Sequence, residues 1–244
     1  LDKIEALMNI NIIELSNEQN DLGSAHVVFA RNENDTFVLS APAAQVDEQT
    51  GGALGKAAKS SKFVGKFGQM VELMAPNGIN ANRVLIVGVG DGENLNQIKA
   101  EKLGGKIINK LLHSGEESIS IFAPRFAQNI AFGALLRQYK FDKYYTTEKN
   151  VKKPSVEKIT VITEGADVAN EAYSELEKIA DGVIMARDLV SEPGNILYPE
   201  SYAEQIKELS SLGLEIEILN EDAMDELGME SILGVGQGSS SETL

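Results

Sequence analysis

The chain has 244 residues, a formal charge of −15 at pH 7, a pI near 4.6 and no cysteine. Without thiols there are no disulfides, thiolate metal sites or cysteine nucleophiles. The acidic balance disfavours nucleic acid and anionic lipid, both of which are held largely by cationic side chains. No apolar run approaches the ~20 residues that span a bilayer, and no basic-apolar leader precedes Asn9. These totals fit a soluble cytoplasmic chain of ordinary globular composition. It begins at Leu1 rather than Met, which leaves its natural start open to trimming.

Asn9–Leu15, Ala25–Ala30 and Thr36–Ser40 read as strands, the second apolar enough for a buried position. Asp47 to Ser60 reads as a helix capped by Asp47, with Gly51-Gly52 awkward inside it. Gln69–Ala75 and Arg83–Val89 are strands joined through the turn residues Pro76-Asn77-Gly78. The second is continuous enough to be central in a sheet covered on both faces.

From Asn94 to Leu112, Ile98, Leu103, Ile107, Ile108, Leu111 and Leu112 recur at helical spacing, with Lys99, Lys102, Lys106 and Lys110 on other faces. Ser118–Ala123 follows as a strand, Phe126–Tyr139 as a helix and Glu157–Thr163 as a strand. Strands separated by helices of this length predict an α/β fold with a mixed, mostly parallel sheet flanked by helices. Between Asp142 and Ser155 the chain is polar, and Lys149, Lys152 and Lys153 read as a solvated linker.

Asp167 to Val190 predicts a long helix whose apolar surface is wider than one packing stripe requires. Glu192-Pro193-Gly194 stops it. The next helix starts near Pro199, suited to the first helical position, or at Ser201, which with Glu204 matches a capping box. Leu214–Leu219 alternates apolar residues with Glu215 and Glu217, as a strand with one wet face does. Asn220 caps a short helix with an acidic start, and Ser231 to Gly238 brings another apolar turn. Residues from Ser191 onward hold one strand, too little for an independent core, so they read either as an appendage on the first domain or, the preferred reading, as the truncated start of a second.

The candidates for chemistry each have a plainer explanation. Gly88-Val89-Gly90-Asp91-Gly92 sits between strand and helix, but its third glycine is one residue early for a dinucleotide fingerprint. A turn that needs positive φ accounts for it. Gly51-Gly52 and Gly104-Gly105 read as close-packing glycines within helices. His26 and His113 have no partner at metal-ligand spacing, and both read as structural. Asn220 to Glu226 holds four carboxylates in six residues, better read as a solvated helix start than a hard-metal site. No G-x-S-x-G elbow is present.

One stretch carries a resemblance. Ala186-Arg187-Asp188-Leu189-Val190, Glu192-Pro193-x-Asn195, Tyr198-Pro199-Glu200, Leu227-Gly228-Met229 and Gly234-Val235-Gly236-Gln237-Gly238-Ser239, in that order, resemble the leucyl aminopeptidase (cytosol aminopeptidase) family. Weaker similarity through Gly51–Leu54, Arg83–Gly88 and Gly133–Leu136 resembles that family's N-terminal, macro-domain-like α/β domain. The resemblance implies a macro-like domain over 1–165, a linker helix over 166–190, and the beginning of the peptidase domain over 191–244. It implies a cytoplasmic homohexamer that removes N-terminal residues from peptides, leucine among them, with two divalent zinc or manganese ions. The family's metal ligands and catalytic lysine and arginine lie in later motifs, an N-T-D-A-E-G-R segment among them. No catalytic, cofactor-binding or metal residue is therefore carried onto this chain, and it is expected to be inactive and to bind no metal alone. The competing expectations are a macro-like module binding ADP-ribose or a related nucleotide at Gly88–Gly92, and a purely structural assembly domain.

Overall fold

The computed structural model describes residues 12–146 and 153–236. The chain divides into two compact units, Leu1–Ile184 and Met185–Leu244. The first is built on a seven-stranded sheet formed by β1 (Ile12–Ser16), β2 (Ala25–Glu33), β3 (Thr36–Leu39), β4 (Met70–Met74), β5 (Arg83–Gly88), β6 (Ser118–Phe122) and β7 (Lys158–Ile162). The order is β1-β7-β6-β2-β5-β4, parallel from β1 to β5 and antiparallel at β4. The short β3 turns back antiparallel on the far end of β2. The sheet is thus mixed and mostly parallel, flanked by helices.

Helices cover both faces. Val27, Phe29, Leu85, Val87, Ile119, Ile121, Ile159 and Val161 point to one side, where α3 (Gln97–Leu111), α4 (Ala127–Gln138) and the start of α5 (Ala166–Ser191) bury their apolar stripes. Val28, Ala30, Val84, Ile86 and Phe122 point to the other, beneath α1 (Ala41–Gln49) and α2 (Ala53–Ser60). The alternation of β2 and β5 between two apolar layers explains why both strands read as continuous apolar runs. β5 is nevertheless next to the sheet edge; it is central in its burial, not in its position.

Close helix contact depends on two glycines. A Cβ on Gly104 of α3 would overlap the Ile130 carbonyl, and one on Gly133 of α4 would overlap the Glu101 carbonyl. The two helices approach backbone to backbone, as expected for Gly104. The other glycine pair is different. Gly51 and Gly52 adopt φ of +63° and +81° and end α1, so the single helix expected from Asp47 to Ser60 is two. α1 starts earlier, at Ala41, with Ser40 Oγ accepting from Ala43 N. Asp47 does cap, at a distance: its Oδ1 accepts from Gly55 N at 2.7 Å, on the first turn of α2.

Two further expectations are corrected. Ile98 is expected on the buried face of α3 but is 61% exposed, because it sits on the first turn after the Asn96 cap and faces away from Ala100, Leu103, Ile107 and Leu111. Leu214–Leu219 forms no strand. Its alternation suits one, but a strand exists only with a hydrogen-bonded neighbour, and this segment has none among the described residues. The second unit consists of the end of α5, α6 (Pro199–Glu208), a 3₁₀ turn (Leu209–Leu212), α7 (Glu221–Glu226) and α8 (Glu230–Gly236). Pro199 takes the first position of α6, and Ser201 Oγ accepts from Tyr198 N at 3.0 Å rather than starting the helix itself. Among the described residues no helix is long and apolar enough to cross a membrane.

Candidate functional site

Ligands of parallel α/β sheets usually bind beyond the carboxyl ends of the strands, which here is the Gly88–Gly92 turn. Gly90 and Gly92 have φ of +81° and +77°, so a turn requiring the left-handed region is what the glycines serve. Val89 N donates to Ala30 O and Gly90 N to Gly65 O. Two amides a phosphate cradle needs are therefore already bound. The loop that takes the Gly90 amide, Lys62 to Gln69, is held by one side chain. Gln69 Oε1 accepts from Val64 N at 3.0 Å and from Lys66 N at 3.3 Å, while its Nε2 donates to Lys62 O. Gly88 lies so close to this loop that a Cβ there would overlap Lys66 O. Asp91 closes the turn by accepting from Asn94 N and Nδ2, bonds that lower its carboxyl below the ordinary range.

The histidines are structural. His26 is 4% exposed, edge-on to Phe122 at 5.6 Å, and neither ring nitrogen has a hydrogen-bond partner. Burial lowers its pKa, against a smaller opposing effect of the Gly23 backbone, so it is a neutral core residue. His113 Nδ1 lies 3.1 Å from Lys153 O, tying the end of α3 to the far side of the lysine-rich loop. Lys153 itself is exposed, while Lys149 and Lys152 lie outside the described residues.

A charged cluster escaped sequence reading. Arg83 Nη1 donates to Glu72 at 2.8 Å, its Nε to Glu116 at 3.2 Å and its Nη2 to Ser114 O, while Lys110 reaches Glu72 at 2.7 Å and Asn82 donates to Glu116. Burial raises the pKa of Glu116, but hydrogen bonds from Ser24, Asn82 and Arg83 and the Arg83 charge outweigh it, and the net shift is downward. Every member has a partner, so the cluster stitches β4, β5 and α3 together and has no acid or base to offer. The one signal was Glu72 between Val71 and Leu73 in an apolar strand.

The acidic run at Asn220–Glu226 behaves as a helix start. Asn220 Oδ1 accepts from Ala223 N at 3.0 Å, and Glu221 and Asp222 occupy the positive end of α7. Among the described residues no group of three or more His, Asp and Glu side chains converges to hold an ion, so they do not meet the donor set of a metal pair. The motif residues after Ala186 form the last turn of α5, the Pro193 turn, the start of α6 and the α7–α8 turn. Ile196 and Leu197 N both donate to Pro193 O, Gly228 adopts φ +71°, and Met229 N donates to Met224 O. Gln237-Gly238-Ser239 lies outside the described residues.

Comparison with known proteins follows the same division. Residues 27–148 match the model of the cytosol aminopeptidase family N-terminal domain, and residues 184–244 match that family's catalytic domain. The chain belongs to the cytosol aminopeptidase family. A probable cytosol aminopeptidase of Caulobacter vibrioides is 43% identical over 215 residues, covering 84% of this chain and 42% of the relative. One from Bradyrhizobium sp. is 38% identical, covering 80% and 41%. The chain thus spans about two fifths of the length of the curated relatives it matches. Among solved structures, a mutant of tomato leucine aminopeptidase aligns with a TM-score of 0.74 at 24% identity, covering 89% of this chain and 46% of the other. The bottromycin maturation enzyme BotP, solved in complex with Mn, aligns at 0.65 and 20% identity, covering 90% and 43%. Both likenesses are of fold.

Proposed function

We propose that this chain is the N-terminal portion of a metal-dependent aminopeptidase that removes N-terminal residues, leucine among the preferred ones, from peptides. Residues 1–165 serve as its N-terminal domain, 166–190 as the linker helix, and 191–244 as the opening part of the catalytic domain. By itself the chain is without peptidase activity. It contributes oligomer contacts and shapes access to a site completed by the remaining length of the family's proteins. Two divalent ions, zinc or manganese, held by residues of that remaining length supply a polarised carbonyl and an activated water. The working form is a cytoplasmic homohexamer, and nucleic acid is not among its partners.

The observation that carries this reading is the order and extent of the two family matches, beside a coverage of 42% of the Caulobacter vibrioides relative. The test is release of p-nitroaniline from leucine p-nitroanilide by the 244-residue chain with added Mn²⁺ or Zn²⁺. The expected result is no release above the metal-only background. Metal-dependent release by this chain overturns the reading. Unfolding midpoints with the ions and with a chelator are expected to coincide.

A further inference from the structure

The connection between β4 and β5 carries the only Asn-Gly pair of the sequence, Asn77-Gly78. Pro76 before it is buried, whereas Asn77 and Gly78 are both exposed. The connection is pinned at its base, where Ala75 N donates to Asn82 O and Asn82 Nδ2 donates to Glu116. Gly78 has φ +89° and lies so close to the end of α1 that a Cβ there would overlap Gln49 O. The fold therefore requires glycine at this position. At its tip the turn is unbound. Neither the Asn77 side chain nor the Gly78 amide has a hydrogen-bond partner among the described residues. Other asparagines differ: Asn94, Asn96, Asn129, Asn170 and Asn220 each hold a bond through the side-chain amide.

We propose that Asn77-Gly78 is a self-modifying site, at which the folded chain converts its own side-chain amide into an aspartyl or isoaspartyl carboxylate. An amide carbon is a poor electrophile, so the step needs a nucleophile held next to it. The Gly78 nitrogen is that nucleophile. It attacks Asn77 Cγ and closes a succinimide ring: the Gly78 N–Asn77 Cγ bond forms, the Cγ–Nδ2 bond breaks, and the Gly78 proton leaves with the nitrogen as ammonia. Water then opens the imide at one of its two carbonyls. Cleavage of the new bond restores the main chain and leaves an aspartyl side chain. Cleavage of the original peptide bond leaves the main chain running through Cβ and Cγ, an isoaspartyl linkage one methylene longer. The balance is amide plus water to carboxylic acid plus ammonia, without oxidation or reduction. Glycine favours the attack because no Cβ shields its nitrogen. Asn80-Ala81 is the built-in control: Asn80 is exposed in the same connection but is followed by a residue with a Cβ. Conversion adds a negative charge beside the carbonyl end of α1, the unfavourable end for an anion. The isoaspartyl linkage also moves Gly78 from its seat against Gln49 O. Its α-carboxylate, now a side group, is what isoaspartate-directed methyltransferases esterify with a methyl from S-adenosylmethionine.

The test ages the folded 244-residue chain at mildly alkaline pH in water enriched in heavy oxygen, then maps its peptides by mass spectrometry with electron-transfer fragmentation. Conversion at Asn77 is expected to be about tenfold or more faster than at Asn80, because only Asn77 precedes a glycine. The product should carry heavy oxygen and be mainly isoaspartyl. Conversion should slow at mildly acidic pH, since the attacking nitrogen must lose its proton. Equal rates at Asn77 and Asn80 overturn the proposal. So does conversion confined to the urea-unfolded chain, or a purely aspartyl product, which marks direct hydrolysis of the side chain. Asn77→Ser, an exposed change that leaves Gly78 in place, gives a second readout. The aged parent chain should accept labelled methyl groups from S-adenosylmethionine through an isoaspartate-directed methyltransferase, and the variant aged in parallel should accept none above the unaged background. Equal labelling of the two places the isoaspartate elsewhere and overturns the proposal. Converted chains, separated by anion exchange on their added charge, should unfold at a lower urea concentration than unconverted ones. An unchanged midpoint overturns the coupling of this turn to α1.

Discussion

The two units of this chain are made from the same amino acids under different rules. Leu1–Ile184 holds 24 acidic against 20 basic residues and buries a three-layered core on both sides of a sheet. Met185–Leu244 holds thirteen against two, and among its described residues Met224 is the one large apolar side chain that is buried. Local signals are equally good in both: Asn96 and Asn220 cap their helices with the same bond to the third residue on. The difference is therefore not one of propensity. It shows that correct caps and turns make elements, whereas a hydrogen-bonded sheet with two covered faces makes a domain.

The largest test of that contrast is at Gly133. Gly133→Val forces α3 and α4 apart, since even a Cβ there overlaps the Glu101 carbonyl, and should cost about 3 kcal/mol or more by urea unfolding. In the second unit, Leu227→Ala removes a side chain that is 65% exposed and should change the chain's stability by less than about 0.5 kcal/mol. A loss at Leu227 approaching that at Gly133 breaks the comparison.

Next in size is Glu116→Ala. It leaves Arg83 with Glu72 and removes a buried acceptor for Asn82 and Arg83, an expected loss of about 2–3 kcal/mol. Glu116→Gln should recover part of it, because one oxygen still accepts.

His26 gives a smaller, pH-resolved effect in the first unit only. Its folded pKa is depressed below 6.5, so the unfolded chain binds the proton more readily. The stability that neutral His26 contributes is complete above pH 6.5 and is lost as the pH falls through its folded pKa. Glu116 has the same sign, but its loss begins only below its ordinary value of 4.5. Urea midpoints at pH 7.5 and 5 should therefore differ for the parent chain and differ less for His26→Leu. An unchanged difference in that variant assigns the pH dependence elsewhere.

The smallest effect concerns the boundary. A chain ended at Ile184 should keep its unfolding free energy within about 1 kcal/mol of the longer one, and the peptide 185–244 alone should show little helix by circular dichroism. A cooperative transition in that peptide breaks the contrast between the two units.

Much of this was legible beforehand, for reasons that differ by element. β2 and β5 announced themselves because a parallel strand covered on both faces is a near-continuous apolar run. The helix pair α3–α4 showed in its period, although Gly104 and Gly133 reveal their purpose only when the facing carbonyls are in place. The break at Gly51-Gly52 was misread because two glycines are compatible with close packing or with positive φ, and sequence does not distinguish them. Arg83, Glu72 and Glu116 are 11 to 44 residues apart, and no local pattern joins them. For the site, the motifs after Ala186 pointed to the family but carry turns and caps rather than a converging set of donors.

What the amino-acid order determined by itself was the type and approximate extent of each element, since period, capping and glycine placement act within a few residues. It also determined the family, through words spread over the last fifty residues. Only the tertiary structure decided which glycines touch backbone, that the Gly88–Gly92 turn is already occupied by the chain's own loop, and that Leu214–Leu219 has the pattern of a strand without being one. Those outcomes depend on groups distant in sequence meeting in space, and a strand in particular is a relation between two segments, never a property of one.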